Sequence, residues 1–112
     1  MKSDRLNEYR IMWVLIMFDL PTETKIQRKE ASNFRKYLIS DGFTMFQYSI
    51  YVRHCASFES ADTHIKRVSK NIPGDGKVCI ITITDKQFGN IKLFEGSAKV
   101  SPEPVAIQLE LF

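Results

Sequence analysis

Ile11-Met12-Trp13-Val14-Leu15-Ile16-Met17-Phe18, followed at once by Asp19-Leu20-Pro21, is the stretch on which the fold turns. These eight residues are apolar at odd and even positions alike, as in a central strand covered on both faces. The run is the longest of its kind here and falls far short of the roughly 20 apolar residues needed to span a bilayer. No small-residue cleavage site follows it, so the sequence predicts a cytoplasmic protein with no membrane partner. Upstream, Asp4, Arg5, Glu8 and Arg10 stand among polar neighbours without an apolar period, so residues 1–10 read as a solvated lead-in.

Downstream, Thr24 followed three residues later by Gln27 fits a capping box, and the spacing predicts a helix from there to about Ser40, ended by Asp41-Gly42. On a helical wheel Ile26, Ala31, Phe34, Tyr37 and Leu38 share one side. Lys25, Arg28, Lys29, Arg35 and Lys36 lie opposite as a basic stripe. Phe43 to Arg53 alternates Phe46, Tyr48, Ile50 and Val52 against Gln47, Ser49, Tyr51 and Arg53, the period of a strand with unlike faces. Phe58, Ala61, Ile65, Val68 and Ile72 recur at helical spacing, and Pro73-Gly74-Asp75-Gly76 forces a turn. Val78 to Thr84 is a β-branched strand. Asp85 to Asn90 reads as a short connection, Ile91 to Phe94 as a further strand, Glu95 to Pro104 as a linker, and Val105 to Phe112 as a last strand.

The order strand, helix, strand, strand or short turn, helix, strand, strand predicts an α+β fold: a ferredoxin-like βαββαβ sandwich with an extra C-terminal strand. The 112 residues form one domain, with the core over about residues 11–94 and the linker and final strand over 95–112. Helices in that arrangement cover one face of the sheet only. Because the first strand is apolar on both parities, the open face needs a cover, and a second copy is the economical one, giving a homodimer packed through the open sheet faces. Hydrophobic residues at 44% and charged ones at 26% exclude the disordered and membrane classes. Lys plus Arg exceed Asp plus Glu by 16 to 13, a net +3 that permits a polyanionic partner only if the cations are gathered together. Cys55 and Cys79 form no C-x-x-C pair and are expected to be reduced, buried thiols.

Asp19 is the most informative carboxylate, because it places a charge at the end of an apolar strand, where it needs a partner. Its commoner role would be to cap the next helix or turn the chain. One carboxylate holds a hard cation poorly. Two copies meeting near a two-fold axis could share one ion, which would orient a phosphate and activate a water. The basic stripe begins close by and could carry the phosphates of a nucleic-acid backbone, although a solvated helix face is the more frequent meaning of such a set. Arg53 and Lys77 are candidates to extend it. His54 and His64 lack ligand-spaced neighbours, and no nucleophile-elbow or phosphate-loop glycines surround Ser49 or any other residue. Tyr48, Tyr51 and Trp13 could stack bases, but aromatic residues on strands are more often core or interface.

The segment VLIMFDLPTETKIQRKEASNFRKYLISDGFTMFQYSIYVR, Val14 to Arg53, together with ITDKQF at Ile83 to Phe88 and the final IQLELF, closely resembles the CRISPR-associated Cas2 family, the small partner of the spacer integrase. The resemblance implies a ferredoxin-like homodimer whose final strand reaches a neighbouring subunit. It implies a magnesium- or manganese-dependent endonuclease site for RNA or DNA, with Asp19 as catalytic residue and metal ligand and with Arg28 and Ser49 where supporting catalytic residues are expected. It also implies a subunit of the adaptation complex that bridges integrase dimers and binds the duplex prespacer DNA, with single-stranded RNA as a further partner. Lys25, Arg28, Lys29, Arg35 and Lys36 are the expected backbone contacts, acting without reading base order. A non-catalytic DNA-binding adaptor and a ribonuclease toxin on the same fold remain as alternatives, since fold alone does not settle function.

Overall fold

The eight residues Met12–Asp19 form the strand β1, which lies inside a four-stranded antiparallel sheet. The computed structural model describes residues 10–102; the lead-in over residues 1–9 and the expected C-terminal strand lie outside the described residues. After β1 come the helix α1 (Lys25–Ser40), the strands β2 (Thr44–Gln47) and β3 (Ile50–Cys55), the helix α2 (Phe58–Ser69), the strand β4 (Lys77–Thr84), a short helix α3 (Asp85–Gly89), and the strands β5 (Leu93–Glu95) and β6 (Ala98–Val100). The sheet order is β2-β3-β1-β4, with β1 antiparallel to both β3 and β4. This is the strand order of the ferredoxin-like arrangement.

Alternation along β1 sorts the core into two layers. Met12, Val14, Ile16 and Phe18 face the helices and pack with Phe34 and Leu38 of α1, Ala61 and Val68 of α2, and Tyr51 and Cys55 of β3. Trp13 and Val52 point to the opposite face, where Phe88 closes over them with Phe46, Leu15, Ile83 and Ile91 around it. Trp13 and Phe88 stack with ring centroids 3.9 Å apart and planes 7° from parallel. The indole Nε1–H donates to Asp85 Oδ1 at 2.7 Å, and the Asp85 amide donates to the Ile11 carbonyl at 2.9 Å. The short helix is therefore bolted to the start of β1 by a stack and two hydrogen bonds.

The capping box at Thr24 and Gln27 is present, with the Thr24 hydroxyl accepting from the Gln27 amide at 3.1 Å. Four expectations need correction. Phe43 to Arg53 is not one strand: it folds back at Tyr48-Ser49 into the hairpin β2–β3, because Ser49 takes a left-handed backbone (φ 66) that the sequence signals with neither Gly nor Asn. Asp85 to Asn90 is helical, opened by a second capping box at Thr84 and Gln87. The expected linker from Glu95 is not simply a linker as far as Val100, since Gly96 (φ 61) closes β5 and β6 into a hairpin apart from the main sheet. Ile26, placed on the apolar side of α1, is 72% exposed, for it lies in the first turn, ahead of the buried residues Ala31, Phe34 and Leu38. Among the described residues no helix is long and apolar enough to cross a membrane.

Replacing Phe88 by Ala removes the lid from the only tryptophan. It should lower unfolding free energy by about 3–5 kcal/mol, read from urea titration, and should shift the Trp13 emission to longer wavelength.

Candidate functional site

Asp19 closes β1 at an odd position, so the alternation that turns Trp13, Leu15 and Met17 to the open face turns its carboxylate there too. The Phe18 N–H donates to the Ser49 carbonyl at 3.0 Å, tying the β2–β3 turn to this end of the strand. Across the ladder Lys77 stands opposite Asp19. Gly76, just before it, has φ +93, and a Cβ there would lie 2.6 Å from the Asp19 carbonyl oxygen and 2.9 Å from Pro21 Cδ. The start of β4 can press this closely on Asp19-Leu20-Pro21 only without a side chain.

Helix capping does not occupy the Asp19 carboxylate, since Thr24 supplies the cap. Among the described residues the carboxylate has no hydrogen bond or ion pair. It is exposed to solvent, with Lys77 beside it, at the end of a largely apolar face. That face is Leu15 and Met17 of β1, Ile50 of β3, and Cys79 and Ile81 of β4 by register. Ile81 is 39% exposed, and Cys79 is exposed rather than buried as expected, because it lies across from Met17 beyond the reach of α3. Cys55, on the helix side, is buried, and burial pushes its thiol above the ordinary cysteine range.

Arg28 folds back on the loop after β1: its Nη1 donates to the carbonyls of Thr22 and Glu23, both at 3.0 Å. The side chain thus braces the loop between Asp19 and α1. Ser49 meets the strand through its carbonyl, and its hydroxyl makes no hydrogen bond among the described residues. Lys25, Arg28, Lys29 and Lys36 are exposed along α1. Arg35 departs from this stripe, its guanidinium lying 5.6 Å from the Phe18 ring centroid and 5.5 Å from that of Tyr48. Arg53 does not extend the stripe either; its Nε donates to the Asp41 carbonyl at 2.8 Å and its Nη1 to the His54 carbonyl at 2.9 Å. Lys77 is exposed and sits beside Asp19 in the ladder.

A second polar cluster carries no signal in the sequence. Asp41, the C-cap of α1, contacts His64 Nδ1 at 2.7 Å through Oδ2 and accepts from Arg67 Nη1 at 3.1 Å through Oδ1. His64 is 8% exposed, so this pair clamps the end of α1 onto α2 from within. Burial, and next the Asp41 charge, push the nearby Tyr37 hydroxyl above its ordinary range. Asp41 and His64 stand 23 positions apart, so no local spacing could have revealed the contact. Among the described residues no three His, Cys, Asp or Glu side chains are grouped as metal ligands.

Residues 12–91 match the family model of CRISPR associated protein Cas2. A "CRISPR-associated endoribonuclease Cas2" of Flavobacterium psychrophilum is 55% identical over 96% of this chain and 94% of its own. Another of the same name, from Parvibaculum lavamentivorans, is 52% identical over 90% of this chain and its full length. A solved structure described as "Crystal structure of cas2" superposes with a TM-score of 0.53 over 80% of this chain and 94% of its own, at 17% identity, which bears on the fold alone.

Gly76→Ala should destabilise the protein by at least about 1 kcal/mol, because strain at positive φ and the collision with backbone add. Gly74→Ala, with nothing within 4 Å of the added carbon, should stay within about 0.5 kcal/mol of the parent. Urea midpoints compare the two.

Proposed function

The chain belongs to the CRISPR associated protein Cas2 family, and from this premise we propose that it is a subunit of the spacer-acquisition machinery, working as a homodimer with an endonuclease site built from Asp19 of both copies. The observation that carries this reading is a carboxylate without a hydrogen bond or ion pair at the end of an apolar sheet face that the short helix covers only in part. A second copy laid on Leu15, Met17, Ile50, Cys79 and Ile81 would shield that surface from water and bring the two acids together. The names of the relatives, endoribonucleases, supply the reaction class.

One protomer offers a single ligand here, so it fits half of a magnesium site, manganese being an alternative; a bound ion would orient a phosphate and lower the pKa of a water. Gly76 and the Ser49 carbonyl fix where Asp19 stands, and Arg28 holds the loop behind it. Lys25, Lys29 and Lys36 are placed to meet backbone phosphates of duplex DNA without regard to sequence. The same dimer is proposed to bridge integrase dimers, a role that needs the basic surface but no bond cleavage.

Asp19→Asn should abolish cleavage of RNA and DNA while leaving the unfolding midpoint and the dimer mass unchanged; cleavage at the parental rate would sink the catalytic reading. Spacer integration that persists in this variant would assign the adaptor role alone. Replacing Lys25, Lys29 and Lys36 by Ala should weaken duplex binding and reduce the slope of log affinity against log salt by about one for each phosphate no longer neutralised. In native protein a maleimide should label Cys79 and spare Cys55, and labelling should slow as rising concentration drives the open faces together. A rate independent of concentration, with dimer present, would place the interface elsewhere.

A further inference from the structure

Tyr48 is 81% exposed although the segment carrying it is tightly fixed. It occupies the first position of the two-residue turn between β2 and β3, and Ser49 beside it takes φ 66. The Ser49 carbonyl is held by the Phe18 N–H, one residue before Asp19. In the run Gln47-Tyr48-Ser49-Ile50-Tyr51 the two tyrosines part company: Tyr51 is 4% exposed in the core, stacked on Phe18 with centroids 5.7 Å apart, whereas Tyr48 stands out in solvent. Folding does not require a large ring there.

The ring is nonetheless supported. Arg35 reaches from α1 with its guanidinium 5.5 Å from the Tyr48 centroid and 5.6 Å from that of Phe18, a cation held between two π faces. One face of Tyr48 is thereby backed by a positive charge, and its high exposure leaves the other open. Met17 pairs with Ile50 in the sheet, so this turn and Asp19 lie at the same end of β1.

We propose that Tyr48, backed by Arg35, is a specificity-determining platform on which an unpaired base of a nucleic-acid strand stacks as that strand passes Asp19. The proposal rests on the nucleic-acid reading above and deepens it by naming the residues that would receive a single strand or frayed end rather than a closed duplex. Bases inside a duplex already have both faces covered, and only an unstacked base can use a protein ring. Any base offers such a face, so the platform tolerates sequence. Arg35 serves as a positioning residue, fixing the ring and adding charge where phosphates follow the base.

The test uses the full-length protein without divalent metal and two probes: a short single-stranded oligouridylate carrying one 2-aminopurine, and a blunt duplex of the same length. The parent should quench the 2-aminopurine emission. Tyr48→Ala should lose that quenching and about tenfold in single-strand affinity, with duplex affinity unchanged. Tyr48→Phe and Tyr48→Trp should retain both properties, and Arg35→Gln should weaken them in part. Unchanged single-strand binding in Tyr48→Ala, or an equal loss on both probes, overturns the proposal. So does a monomeric mass for that variant, which would make Tyr48 a contact between copies. Asp19→Asn should bind and quench like the parent. If it still cleaves while Tyr48→Ala loses the single strand, the catalytic reading has failed and the platform stands.

Discussion

β1 carries apolar side chains to both sides of the sheet, and such a strand is stable only when both sides are covered. The helix layer meets this demand for Met12, Val14, Ile16 and Phe18. On the reverse side the cover is partial: Phe88 and its helix shelter Trp13 and Val52, while Met17 and Ile81 further along are left partly open. Asp19 marks the boundary where this strand leaves the sheet, and the uneven cover is what gives its carboxylate a setting.

Much of this was legible because it is written locally. The two-sided apolar run of β1 and the Thr24–Gln27 reciprocal cap are short-range signals, and both elements stand where those signals put them. The same cap recurs at Thr84 and Gln87 and would have announced α3, but a five-residue helix buries only Phe88 and offers no period to detect. The Tyr48-Ser49 turn was hidden for a different reason: a serine held at positive φ by its surroundings leaves no trace in composition, and the alternation on either side runs through it unbroken. Asp41 with His64 and Arg67 is a contact of tertiary origin, beyond any argument from spacing.

The basic residues show how a helical wheel sorts angles but not ends. Lys25, Lys29 and Lys36 face outward as the wheel has them. Arg28 instead turns back on two carbonyls of its own loop, and Arg35 finds aromatic rings at the edge of the sheet. Arginine, with its planar fork and weak hydration, is drawn to such partners, whereas lysine stays in water. What stays in water along α1 is therefore chiefly a stripe of lysines.

The small helix carrying Phe88 also sets geometry beyond its own contacts. By filling the space above Trp13 it makes the reverse side of the sheet lopsided, raised at one end and bare at the other. A flat object cannot lie centrally on such a surface. An object laid on that side would therefore rest toward the Asp19 end, with Phe88 as its doorstop.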